Sequence, residues 1–169
     1  MKLIKFIPII LFTILSIFLY KKIDNYETTK SLSSALIDKP FPLLNLNSFN
    51  EEQDISNIVG KKFFVVNFFA SWCLPCKVEH NVLKYFSDQV DIVGIAYKDS
   101  TNNIENYLLE FGNPYKYIYL DNNGKNAIEL GLYGVPETYF VDNKGVIKYK
   151  HVGPITLKQF RNIISFLGI

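Results

Sequence analysis

The sequence predicts an α/β fold, a mixed central sheet flanked by helices, carried behind an N-terminal membrane anchor. Three observations predict it. Residues 63–70 (FFVVNFFA) are continuously apolar, aromatic and β-branched, the composition of a strand buried on both faces. Strand-like and helix-like segments alternate after it and close on a hairpin and a final helix. At the other end, residues 6–20 (FIPIILFTILSIFLY) carry no charge and are bracketed by Lys5 and by Lys21-Lys22.

The N-terminal run is shorter than the ~20 residues that usually span a bilayer, but flanking lysines can snorkel outward. No small-x-small cleavage pattern occurs at Phe18-Leu19-Tyr20-Lys21, so residues 1–22 read as an uncleaved signal anchor. Residues 23–39, rich in Ser, Thr, Asp and Asn, read as a flexible stalk, and residues 40–169 as the folded domain. Within the domain, residues 41–46 alternate as a weak strand, followed by the buried strand at 63–70. A helix is expected from Cys73 to about Ser87, with Val78, Val82, Leu83 and Phe86 on its apolar face. Residues 91–97 (DIVGIAY) read as a strand, and 104–111 as a helix closed by Gly112 and Pro114. A short strand at 115–120 and a short helix at 125–130 come next. Strands at 138–142 and 146–152 flank the turn Asn143-Lys144-Gly145, and a last helix at 156–167 has Thr156 as its cap.

The formal charge of +2 hides a division. Lys2, Lys5, Lys21 and Lys22 stand in the first 22 residues with no acid, and the rest of the chain is slightly acidic. No basic cluster remains to form a nucleic-acid face, and Lys61-Lys62 reads as a solvated turn before a strand.

The chain has two cysteines, Cys73 and Cys76. A bond between them closes a tiny loop and constrains the unfolded chain little, so chemistry is a better reason for the pair than stability. They follow a buried strand and open a helix, where unpaired backbone N–H groups favour a thiolate. Cys73, at the tip, is the expected nucleophile and the more exposed sulfur. Cys76, one turn in, is the expected resolving thiol, and the two form the redox-active disulfide. Pro75 fits the first helical turn, where no N–H is needed, and Lys77 is expected to be solvated. A structural zinc site wants four protein ligands, and only His80 and His151 could join the cysteines. Haem attachment requires His where Lys77 stands. No metal and no cofactor is expected. Pro136, in Gly134-Val135-Pro136-Glu137-Thr138, leads into a strand, and in this redox context is expected to be cis and to lie against the cysteines.

Together, Trp72-Cys73-Leu74-Pro75-Cys76 and the late Val135-Pro136 resemble thioredoxin-like proteins. Cys76-Lys77-Val78-Glu79-His80, Gly94-Ile95-Ala96-Tyr97-Lys98-Asp99, Gly112-Asn113-Pro114-Tyr115 and Leu132-Tyr133-Gly134-Val135-Pro136-Glu137-Thr138 resemble, more closely, the DsbE/CcmG family of thiol:disulfide interchange proteins. The resemblance spans roughly residues 40–154. It implies a thioredoxin-like fold and a periplasmic domain held to the inner (cytoplasmic) membrane by a single pass. It also implies an oxidoreductase that keeps the CxxCH cysteines of apocytochrome c reduced during cytochrome c maturation, resupplied by a membrane thiol reductant. Thioredoxins carry an acid where this chain has Asn67, so proton handling must come from another group. Glu79, three residues after Cys76, and Glu137, beside Pro136, are the first candidates, and Asp99 is a weaker one. Two alternatives remain: a tethered reductase for other secreted thiol proteins, and a copper metallochaperone using Cys73, Cys76 and a histidine such as His151.

Overall fold

A computed structural model of the chain describes residues 6–24, 35–42, 44–49 and 58–168. The chain divides into two units, residues 1–32 and 33–169. In the first, the charge-free run forms helix α1 (Ile7–Asp24, 18 residues), with its apolar side chains exposed from Phe6 to Tyr20. Eighteen residues at ~1.5 Å each make about 27 Å of helix, and the last turn carries Lys21, Lys22 and Asp24. Among the described residues no helix is long and apolar enough to cross a membrane, so the expected single-pass span is not seen. Residues 25–34, most of the expected stalk, lie outside the described residues.

The second unit holds the sheet. Its elements are β1 (Asn47–Ser48), β2 (Phe64–Phe69), α2 (Leu74–Phe86), β3 (Asp91–Tyr97), α3 (Thr101–Phe111), β4 (Tyr117–Asp121), α4 (Lys125–Glu129), β5 (Glu137–Val141), β6 (Ile147–Val152) and α5 (Leu157–Phe166). The strand order is β1-β4-β3-β2-β5-β6. Strands β2, β3 and β4 run parallel, whereas β5, β6 and β1 are antiparallel to their neighbours. This is the mixed sheet the sequence predicts. β2 is central and every one of its residues is buried, as its unbroken apolar run requires. Thr156 caps α5 in a capping box with Gln159, and Gly145 takes a positive φ in the β5–β6 turn.

Two expectations change. Residues 41–46 do not form a strand among those described; the short edge strand lies at β1 instead. Pro40 and Pro42 have no N–H for a ladder, so pairing here stops at the Pro40–Val146 bridge and the Phe41 N–H bond to the Gly145 carbonyl, and Phe41 and Leu44 are buried as separate anchors. On α2, Val78 is 68% exposed, and the buried face is Cys76, Glu79, His80, Leu83 and Phe86.

Alternation along the strands creates two cores. One face carries Val65 and Phe69 of β2 with residues of α2, α3 and α5, and includes both cysteines. The other carries Phe64, Val66 and Phe68 with Ala127 of α4, Tyr139 and Ile147. On the cysteine face, Phe160 stacks on Phe86 at 4.1 Å between ring centroids and meets Phe140 edge-on at 5.2 Å. Replacing it leaves a cavity among three elements. Phe160→Ala should therefore lower unfolding free energy by about 3–5 kcal/mol, measured by denaturant titration. A loss below ~1 kcal/mol would show that the two aromatic contacts contribute little.

Candidate active site

Cys73 and Cys76 form a disulfide with an S–S distance of 2.10 Å. Strand β2 ends at Phe69, and Cys73 is the N-cap of α2, its Sγ accepting the Cys76 N–H at 3.1 Å. Two bonds hold the approach to the helix. Ser71 N–H donates to Asp99 Oδ2 at 2.6 Å, and the Trp72 indole N–H donates to the Lys98 carbonyl at 3.2 Å. Asp99 thus braces the backbone before the cysteines. The Val135–Pro136 peptide is cis, Pro136 is buried, and the Val135 carbonyl lies 3.5 Å from Cys73 Sγ.

Exposure does not distinguish the sulfurs in this disulfide form: Cys73 is 3% and Cys76 2% exposed. What separates them is the helix end. Cys73 Sγ accepts the Cys76 N–H, a bond that in the dithiol would stabilise a thiolate there.

Below the pair, a buried polar row crosses the sheet. Register places Thr138, Asn67 and Gly94 side by side on β5, β2 and β3. The Asn67 amide donates to Glu79 Oε1 at 2.8 Å and to Thr138 Oγ1 at 3.1 Å, and its carbonyl accepts from the Tyr115 hydroxyl at 2.9 Å. Glu79 Oε2 accepts the Ile155 N–H at 2.9 Å. Gly94 makes room for Tyr115: a Cβ there would sit 2.8 Å from the ring. Tyr115 in turn stacks on Phe69 at 4.5 Å. Burial pushes Glu79 up from 4.5 to about 7, against the Ile155 and Asn67 bonds, which favour the carboxylate. Burial, with the charge on Glu79, likewise raises Tyr107 and Tyr115.

His80 is buried one turn below Cys76. One ring nitrogen, Nε2, donates to the Gly112 carbonyl at 2.9 Å, which leaves Nδ1 to accept from the Tyr107 hydroxyl at 2.8 Å. Desolvation lowers its pKa. His151, opposite Thr138 on β6, is also buried, and desolvation lowers it too. Among the described residues no group of three His, Cys, Asp or Glu side chains converges to hold a metal.

The structure brings Cys73, Cys76, Trp72, Pro75, Asp99 and Pro136 to one end of the sheet, and links Asn67 to Glu79 beneath it. It sends Glu137 elsewhere. Glu137 precedes Thr138 and therefore faces the opposite core, where its carboxylate meets Lys150 and Tyr139. Lys77 is half-buried, its ammonium 5.5 Å from the centre of the Phe111 ring. Tyr115, Thr138 and Ile155 are site residues that sequence reasoning missed. Tyr115 lies in the quoted Gly112-Asn113-Pro114-Tyr115 motif, which was the available signal; Ile155 takes part through its backbone, which no side-chain pattern marks.

Two outcomes are expected. Alkylation of the reduced protein near neutral pH should label Cys73 faster than Cys76, and equal rates would overturn the assignment of nucleophile. Glu79 gives a stability signature. Its folded pKa lies above the unfolded value, so its contribution is intact below pH 4.5 and is lost as pH rises to about 7. The decline is roughly 3 kcal/mol. Glu79→Gln should flatten it in denaturant titrations across that range; an unchanged slope would mean Glu79 titrates as an ordinary surface acid.

Comparison with known proteins points to thiol:disulfide exchange as well. The Redoxin family profile matches residues 35–164. The chain is 40% identical over 162 residues to the thiol:disulfide interchange protein DsbE of Pseudomonas fluorescens biotype C, covering 94% of this chain and 89% of that one. It is 35% identical over 168 residues to DsbE of Escherichia coli K12, covering 94% and 90%. Among solved structures, a thiol:disulfide interchange protein of the thioredoxin family from Chlorobium tepidum superposes with a TM-score of 0.61 at 25% identity, covering 76% of this chain and 96% of that one. A CxxC disulfide at a helix N-terminus, in a thioredoxin-like sheet matched along nearly its whole length, places this chain in the Redoxin family as a thiol:disulfide interchange protein of the DsbE kind.

Proposed function

We propose that the protein is a membrane-held reductant of cytochrome c maturation, acting outside the inner membrane on the CxxCH cysteines of apocytochrome c. The observation that carries the redox chemistry is the Cys73–Cys76 pair above a buried carboxylate that titrates near neutrality. The choice of substrate is supported by the likeness to the DsbE relatives.

The reaction starts from the dithiol. Cys73 thiolate attacks one sulfur of the substrate disulfide, forming a mixed disulfide and releasing the other substrate sulfur as thiolate. Cys76 then attacks Cys73 Sγ, the Cys73–Cys76 bond forms, and the second substrate sulfur leaves. Two electrons pass to the substrate, whose two sulfurs end protonated: one proton comes from Cys76 by way of Glu79, and the other, lost when Cys73 ionised, returns from solvent. Cys76 must lose its proton before it attacks. Glu79, on the same buried helix face and half-ionised near neutral pH, is the acceptor in this proposal. Asn67 holds it in place, Pro136 and Val135 border Cys73, and Trp72 and Pro75 shape the helix tip. A membrane thiol reductant regenerates the dithiol. Helix α1, apolar from Phe6 to Tyr20 with lysines after it, anchors the domain, its short length offset by snorkelling.

Full-length Cys76→Ser protein, which cannot resolve the mixed disulfide, should accumulate covalent adducts with CxxCH-containing apocytochromes in the membrane fraction. Adducts made only with secreted proteins lacking that motif would sink the cytochrome assignment and favour the broader reductase. A chain starting at Ser31 should leave the membrane fraction and keep its exchange activity. Persistence on membranes would rule out α1 as the anchor.

A further inference from the structure

Lys150 is a buried cation that the chemistry above does not use. It lies on β6 opposite Tyr139, its side chain 1% exposed, in the core away from the cysteines. Its Nζ sits 2.9 Å from Glu137 Oε2, itself fully buried, and donates to the Gly131 carbonyl at 3.0 Å. It also lies 4.8 Å from the centre of the Tyr133 ring and 5.2 Å from that of Tyr139. Glu137 completes the arrangement. Its Oε1 accepts the Tyr133 N–H at 2.6 Å, and its Oε2 accepts the Tyr139 hydroxyl at 3.1 Å. The stretch from Gly131 to Glu137 is thus fastened at its first, third and last residues to one ammonium–carboxylate pair.

Few backbone bonds fix the middle of that stretch, though Leu132 and Val135 pack against the core residues around them. Gly131 and Leu132 are bonded to the end of α4 through Ile128 and Ala127, and Pro136 accepts from Gly153. Gly131 and Gly134 are both surrounded by open space, with nothing within 4 Å of where a Cβ would stand, so packing does not hold them. Two glycines leave a backbone with little stiffness of its own. Between the fastenings lies Val135, whose carbonyl reaches Cys73 Sγ.

We propose that Lys150 is a positioning residue for thiol–disulfide exchange: through Glu137 it sets the loop that holds the Val135 carbonyl against Cys73. The inference rests on exchange at Cys73 and not on which substrate is reduced. Its chemical consequence concerns the thiol. A carbonyl can accept from a Cys73 S–H and has nothing to offer a thiolate, so it favours the protonated form. If the loop slackens, that preference weakens and Cys73 ionises at lower pH.

The sign separates positioning from plain electrostatics. Lys150→Met removes a positive charge and strands a negative one, which through space would raise the Cys73 pKa. Positioning lowers it. The experiment is a thiolate-absorbance titration of reduced full-length protein, wild type against three variants. Lys150→Met and the double variant Lys150→Met/Glu137→Gln should move the Cys73 midpoint down by roughly half a pH unit or more. The double variant leaves no unpaired buried charge, so it covers the case in which Lys150→Met alone does not fold. Lys150→Arg keeps the charge with a different donor fork and should shift less, in the same direction. A midpoint that stays in place or rises in the folded variants, with only thermal stability lowered, overturns the proposal and leaves Lys150 a stabilising residue alone.

Discussion

Much of this domain is arranged around one hydrogen bond, from the Asn67 amide to the Glu79 carboxylate. A buried carboxylate without a cation is costly unless donors meet it. Here two do, one from a central strand and one from the Ile155 backbone ahead of α5. Satisfying them ties the inner face of α2 to the middle of β2 and to the segment that leads into α5. It also explains the amide at position 67. An acid there would set two carboxylates within hydrogen-bond distance, and one of them would have to stay protonated. An amide can give to Glu79 and Thr138 while taking from Tyr115. Moving the acid from the strand to the helix therefore requires a neutral strand residue that both donates and accepts.

The parts of the fold that were legible in the sequence are those whose burial is one-sided or complete. The run around Val65 and Phe68 has no polar interruption beyond Asn67, and the Thr156 cap and the Gly145 turn carry their own local chemistry. The face of α2 was harder. Pattern reading prefers an apolar residue to an acid at a core position, so it turns Val78 inward although Glu79 takes that place. Hydropathy has no term for a carboxylate satisfied by partners from β2 and from the segment before α5. Residues 41–46 misled for a related reason: alternation marks a strand only when the backbone can pair, and Pro40 and Pro42 prevent it.

Glu137 illustrates a limit of neighbourhood in sequence. It adjoins Pro136, which borders the cysteines, but strand alternation turns it to the other core, while Thr138, one residue on, joins the polar row beneath them. The two cores thus hold polar pairs of different kinds. One is an amide and a carboxylate poised between charge states, the other an ion pair between Lys150 and Glu137. Strand β5 contributes to both through adjacent residues.

Trp72 gives the site a built-in optical gauge. It is the chain's one tryptophan, it precedes Cys73, and its indole N–H is tied to the Lys98 carbonyl while the side chain remains 58% exposed. Indole emission is quenched by a neighbouring disulfide, and indole can be excited at wavelengths where tyrosine absorbs little, so the chain's 11 tyrosines do not obscure it. The fluorescence of the unlabelled protein therefore reports on this one loop. Opening and closing of the Cys73–Cys76 bond can be timed in a stopped-flow instrument without attaching a dye.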